Sequence, residues 1–142
     1  MTYLDTGCFV KLYYPEPDSA QVIALIQGKV VCHTVLHELE FMNALQLKVF
    51  TKNATTAQVA AAHALVETDL KAGVLISPSG EWKDILAEAA RLAERYTGSV
   101  GCRSLDILHC AAAKLLVAAE FVSTDGRQKK LAQAMGLNLV TF

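Results

Sequence analysis

A chain of 142 residues has the length of a single domain, 1–142, and can bury roughly two thirds of its unfolded surface in one core. Hydrophobic residues make up 53% of it, with a mean hydropathy of +0.31, but Lys, Glu or Asp interrupts every apolar run before about 18 residues, which excludes a transmembrane helix and a membrane partner. A formal net charge of -1 excludes a globally basic nucleic-acid binder, so any such role must rest on local charge.

The N-terminus lacks the basic and then apolar segment of a signal peptide. Cys8, Cys32, Cys102 and Cys110 lie far apart, without CxxC spacing, in apolar surroundings. That is the usage of small core residues in a reducing compartment, and a cytoplasmic protein is expected.

Thr2-Tyr3-Leu4 reads as a buried strand that leaves the sheet at Asp5-Thr6-Gly7. Asp5 then has two readings: a cap for the following helix, or a functional acid at the carboxyl end of a parallel strand. Cys8 to Tyr14 suits a short helix that Pro15 ends. Ser19 to Gln27 forms the next helix, capped by Asp18 or Ser19, with Val22, Ile23, Leu25 and Ile26 buried and Gly28 as its stop. Val30 to His33 is the second strand. From Val35 to Phe50 runs a long helix on which Leu36, Leu39, Met42 or Asn43, and Leu47 recur at helical spacing. It carries Glu38 and Glu40 about 200° apart, so only one can share a site with Asp5, and Asn43 lies on the face of Glu40.

Thr55 with Gln58 forms a capping box that opens a helix running to Gly73. Val74 to Ser77 is a short strand, and Ser79 caps a helix from Glu81 to Tyr96 with Ile85, Leu86, Ala89 and Leu92 as its apolar stripe. Gly98 to Arg103 reads as a flexible loop. Ser104 opens a helix through Leu116 that is apolar nearly all round, with Asp106 in its first turn, where the helix dipole favours an acid. Glu120 to Thr124 is a strand ending in Asp125-Gly126, the grammar of the first stretch repeated. A helix from Arg127 to Met135, a stop at Gly136 and a strand Leu137 to Val140 complete the alternation. The fold class predicted is α/β: a three-layer α/β/α sandwich around a mainly parallel sheet of about five strands.

Asp5 and Asp125 end parallel strands and so share one edge of the sheet; Asp106 and Glu40 can reach that edge from their helices. Clustered carboxylates repel and raise one another's pKa unless a cation neutralises them. All-oxygen ligation suits Mg²⁺ or Mn²⁺ better than zinc, and such ions typically act on phosphoryl groups, which makes phosphodiester hydrolysis the reaction class.

The segments Tyr3-Leu4-Asp5-Thr6, Glu40 with Asn43-Ala44-Leu45, Arg103-Ser104-Leu105-Asp106-Ile107-Leu108-His109, and Ser123-Thr124-Asp125-Gly126-Arg127-Gln128 span nearly the whole chain in order. In these the chain resembles the PIN-domain nucleases of the kind that forms the toxin half of VapBC toxin-antitoxin pairs. The resemblance implies a PIN-like fold and a metal-dependent endoribonuclease whose catalytic and metal-binding acids are Asp5, Glu40, Asp106 and Asp125 around one or two Mg²⁺ or Mn²⁺ ions. It implies an RNA substrate cut to a 5′-phosphate and a 3′-hydroxyl, a homodimer, and a cognate antitoxin as partner. Thr6, Asn43, Ser104 and Arg127 would support the site or bind substrate. The chain departs from the family pattern at Gly7, where a serine is frequent, so one hydroxyl contact is missing.

Three other readings bear on the same residues. His33 and His37 with Cys32, or Cys102 with His109 and Cys110, lack zinc spacing and fit core positions better. An aspartyl phosphatase of the haloacid-dehalogenase type would use Asp5 as a nucleophile but wants a carboxylate at position 7, where glycine stands. A PIN-like module that binds RNA or protein without cutting is the alternative from a different class. Arg103, Arg127, Lys129 and Lys130 are candidates for holding the RNA backbone, Arg127 first among them.

Overall fold

The computed structural model describes residues 1–142. Strands β1 (Thr2–Leu4), β2 (Val31–Cys32), β3 (Leu75–Ile76), β4 (Glu120–Val122) and β5 (Leu139–Val140) form one sheet in the order β3-β2-β1-β4-β5, and every neighbouring pair is parallel. β1 is central, with Tyr3 opposite Phe121 and Leu4 opposite Val122. The helices are α1 (Thr6–Tyr13), α2 (Ser19–Ile26), α3 (Val35–Phe50), α4 (Thr56–Ala72), α5 (Trp82–Leu92), the short α6 (Gly98–Val100), α7 (Ser104–Leu115) and α8 (Gly126–Ala134).

Because side chains alternate along a strand, the two faces of this sheet collect different partners. Leu4, Val31, Leu75 and Val122 pack with Phe9, Val22, Phe41, Leu45, Val59 and Val66 of α1 to α4. Tyr3, Cys32 and Phe121 pack with Ile85, Leu92, Cys110, Ala111 and Leu131 of α5, α7 and α8. The predicted three-layer α/β/α sandwich is therefore observed, with two cores divided by the sheet.

Within that architecture several local expectations change. On α3 the buried residues are Leu36, His37, Phe41 and Leu45, while Leu39 and Leu47 are 67% and 53% exposed. Of the stripe read from spacing, Leu36 is buried as expected, whereas Leu39, Met42 and Leu47 face outward and a histidine takes a core position. His37 fits there because its Nε2–H donates to the Leu4 carbonyl (2.8 Å) and its Nδ1 accepts from the Thr34 backbone N–H (3.1 Å), which also gives α3 a capping box. On α2 only Val22 is fully buried, Ile23 is exposed, and neither Asp18 nor Ser19 caps the first turn; the Ser19 hydroxyl instead accepts from the Glu16 N–H. Ser79 does not cap α5, which is flanked by Glu81 with no side-chain cap bond. α1 starts at Thr6 rather than Cys8, because Asp5 caps it.

The segment 98–103 is not a loop. A π-helical turn, Ala93–Thr97, follows α5 and continues into α6, and the chain stops only at Gly101, whose φ of +72° is the left-handed value that glycine adopts without strain. Gly98 therefore carries helix rather than breaking it. On α7 the core position of Cys110 is as expected, but Leu105 and Leu115 are exposed. The capping box of Thr55 and Gln58 opens α4, and Gly73 closes it at φ +74°.

Candidate active site

In an open parallel sheet, ligands bind outside the carboxyl ends of the strands where the chain order reverses. Here that point lies between β1 and β4: the chain leaves β1 toward β2, and leaves β4 toward β5. Asp5 follows β1 and Asp125 lies just beyond β4, so both stand at the reversal.

Asp5 is 6% exposed and both of its carboxylate oxygens are engaged. Oδ1 accepts from the Cys8 N–H at 2.7 Å, capping α1, and Oδ2 accepts from the Ser123 hydroxyl. Ser123 also accepts from the Asp125 N–H at 3.0 Å, so this one buried serine ties the two acids together. Asp125 in turn caps α8, its Oδ1 accepting from the N–H groups of Arg127 and Gln128, each at 2.8 Å. Asp106 Oδ2 accepts from the Arg103 N–H at 3.1 Å. Gln128 joins the last two acids: its N–H binds Asp125, and its side-chain Nε2–H donates to the Asp106 carbonyl at 3.3 Å.

Glu40 enters from α3. Its Oε2 accepts from the Thr6 hydroxyl at 2.7 Å and lies 2.5 Å from His109 Nε2. Burial by itself would push the Glu40 carboxyl up, but the hydrogen bond and charge of His109, with the Thr6 bond, hold it below the usual range. Glu40 and Asn43 line a cleft of about 590 Å³ together with Thr6, Gly7 and the apolar Leu39, Leu47 and Leu105. Of the four acids only Glu40 faces this cleft.

As they stand, no three of the acidic, histidine or cysteine side chains come close enough to hold one ion. Ser123 links the Asp5 carboxylate to the Asp125 backbone N–H, Gln128 links Asp125 to the Asp106 backbone carbonyl, and Glu40 stands beside Thr6, next in sequence to Asp5. Even so, Glu40 Oε1, Asp106 Oδ1 and Asp125 Oδ2 accept no hydrogen bond from the protein, while Asp5, with both oxygens bonded, keeps further lone pairs. The donor set, all carboxylate oxygen with hydroxyls behind it, fits a hard divalent cation in its chemistry. Ser104 and Arg127 are exposed at the starts of α7 and α8, and Arg127 has no ion-pair partner.

Sequence reasoning missed Ser123, Gln128 and His109 as parts of this network. Ser123 and Gln128 flank Asp125 at two and three residues, the reach of local turn and cap bonds, which is the signal that points to them. His109 is three residues from Asp106 on α7, which gives no hint that it meets Glu40 of α3.

No curated protein matches the chain closely enough to count. Among solved structures, a crystal structure of FitAcB from Neisseria gonorrhoeae is similar over 99% of this chain and 97% of that one, with a TM-score of 0.68 at 17% identity, a likeness of fold. The PIN domain model matches residues 2–134, nearly the whole chain, from β1 through α8, and thus every element that carries one of the four acids. The chain belongs to the PIN domain family.

Proposed function

We propose that the protein is a divalent-metal-dependent endoribonuclease that hydrolyses RNA phosphodiester bonds as the toxin of a toxin-antitoxin pair. PIN domains are in general metal-dependent nucleases, so family membership supports the reaction class. The observation that carries the reading furthest is the position of Asp5 and Asp125, bridged by Ser123, at the reversal of strand order, with Asp106 linked to them through Gln128.

Asp5, Glu40, Asp106 and Asp125 are the residues that would hold Mg²⁺ or Mn²⁺. Bound there, such an ion would polarise the phosphodiester and make a water more acidic. The chain's own share is to hold these carboxylates in place. Thr6 and His109 do so for Glu40, Ser123 and the Cys8 N–H for Asp5, and two backbone N–H groups for Asp125. Arg127, exposed and unpaired beside Asp125, would hold an RNA phosphate, and Arg103 has the same exposure at the start of α7. Asn43 and Ser104 would support substrate at the rim.

Leu39, Leu47 and Leu105 are exposed in the cleft beside Glu40 and supply an apolar surface suited to a protein partner. An antitoxin segment and a second copy of the chain are the partners we propose, in the cytoplasm. No helix is long and apolar enough to cross a membrane.

The test is cleavage of end-labelled single-stranded RNA in Mg²⁺, Mn²⁺ and EDTA by the wild type, Asp5→Asn and Asp106→Asn. Internal cuts that need metal and fall at least about 100-fold in both variants are expected. Equal cutting by wild type and variants refutes the assignment. The separation of the acids favours a second reading, a PIN module that binds RNA without cutting. Tight RNA binding with no cleavage under any of these metals would establish it.

A further inference from the structure

Behind the Glu40 carboxylate runs a chain of buried hydrogen bonds that crosses from one helical layer to the other at the end of the sheet. Tyr3 of β1 is fully buried, and its hydroxyl lies 3.0 Å from His109 Nδ1. His109, on α7 and 3% exposed, reaches with Nε2 to Glu40 Oε2 on α3. The Thr6 hydroxyl meets the same Glu40 oxygen and lies 3.0 Å from Nε2. Two donors converge on Oε2, and Oε1 is left free.

The direction of the protons follows from chemistry. Tyr3 is buried among apolar side chains, and desolvation holds its phenol well above its ordinary pKa, so it keeps its proton. Glu40, as a carboxylate, can only accept, so the His109 nitrogen that faces it, Nε2, carries a proton. A neutral ring then has Nδ1 free to accept, and the Tyr3 O–H, 3.0 Å away, donates to it. His37, whose ring lies 5.4 Å from that of His109, does not compete, because both of its nitrogens are used on Leu4 and Thr34.

We propose that His109, braced at Nδ1 by the Tyr3 hydroxyl, is a positioning residue of this site: it anchors Glu40 by Oε2 so that Oε1 remains available to a divalent ion. The inference rests on the reading of the site as a metal nuclease, and it gives the buried Tyr3-His109 pair a role beyond packing. Partners behind a ligating carboxylate fix its orientation, and their loss typically weakens metal binding by about 10–100-fold.

Two measurements on the full-length protein test it. The first is the ring ¹⁵N signature of His109 at pH 8 without metal, in the wild type and in Tyr3→Phe. The wild type is expected to show its proton on Nε2 and an Nδ1 shifted as a hydrogen-bond acceptor, and Tyr3→Phe to keep the Nε2 proton while losing that Nδ1 shift. The second is Mn²⁺ affinity by titration calorimetry. His109→Leu is expected to bind about 10–100-fold more weakly, whereas His109→Gln, whose amide can place an N–H near the Nε2 position, recovers most of the loss. A folded His109→Leu that binds Mn²⁺ like wild type, or a wild-type ring protonated on Nδ1, overturns the proposal. Should His109→Leu fail to fold, Tyr3→Phe decides, with a several-fold weaker affinity expected and an unchanged one overturning. A wild type that binds no Mn²⁺ overturns the metal reading, and the positioning of Glu40 is then judged by the ring signature alone.

Discussion

Ser123 Oγ donates to the buried Asp5 and accepts from the Asp125 N–H, and nothing else in the structure bridges those two acids directly. Ser123→Ala leaves one buried carboxylate oxygen without its donor and one N–H without its acceptor. It should destabilise the protein by about 1–3 kcal/mol in urea unfolding, with the midpoint rather than the slope moving. Gly7 points the other way. It sits in the first turn of α1, and a Cβ there would meet Asp5 Oδ1 at 3.5 Å, an ordinary contact. Gly7→Ala should therefore stabilise by about 0.5–1 kcal/mol, the usual difference between glycine and alanine inside a helix. At this scale the sequence placed Asp5 and Asp125 at strand ends, where the structure has them, and was silent about what holds them. Asp5 was read either as a cap or as a site residue, and the structure shows the cap at the strand end where a site belongs, so the two readings are compatible. Ser123 and Gln128 lay within reach of the local turn and cap bonds of Asp125, whereas His109 stayed hidden because its partner Glu40 is remote in sequence.

Among the elements, α7 ends in the least comfortable backbone of the molecule. Val117 has φ +54° and is 83% exposed, at the position after the helix where glycine is the usual choice. The bond from the Ala118 N–H to the Ala113 carbonyl, 2.9 Å, closes the helix around it. A β-branched residue in the left-handed region costs about 1–2 kcal/mol. Val117→Gly should raise stability by about 1 kcal/mol and shift the thermal midpoint upward by a few degrees. A drop in the midpoint would show that the Val117 side chain contributes contacts that its exposure conceals. The α3 helix shows where periodicity misleads. Leu39, Met42 and Leu47 keep helical spacing as well as Leu36, Phe41 and Leu45 do, and apolarity alone does not rank the two faces. What decides is that His37 can satisfy both ring nitrogens at the end of β1, which turns its face inward and leaves the leucines in the cleft beside Glu40.

For the molecule as a whole, that buried histidine sets a pH dependence. Burial pushes His37 down to about 3, with the nearby His109 and His33 acting in the same direction. In the unfolded chain it returns to about 6.5, so below that pH the unfolded state takes up a proton that the folded state refuses. Stability from this group is whole above about pH 6.5 and is lost as pH falls toward 3, at a limiting rate of about 1.4 kcal/mol per pH unit. His33, lowered chiefly by burial, adds to the same slope. Glu16 and Glu40, both held below the usual carboxylate range, contribute loss only at more acid pH. Urea unfolding across pH 7 to 4.5 should therefore show a decline of about 2–3 kcal/mol before the carboxylates titrate. A flat profile over that window would contradict the neutral, buried state of His37.

The alternation of short apolar runs with amphipathic stretches determined the α/β class, because periods of 2 and 3.6 are local properties of the chain. The same local grammar, an acid and a small or polar residue at a strand end, located Asp5 and Asp125. Strand order, the burial of His37 instead of Leu39, the helical path through Gly98, and the meeting of Tyr3, His109, Thr6 and Glu40 were decided only by the tertiary structure. Each depends on which residues remote in sequence can satisfy one another's hydrogen bonds and volume at once, and no window of the sequence contains both partners.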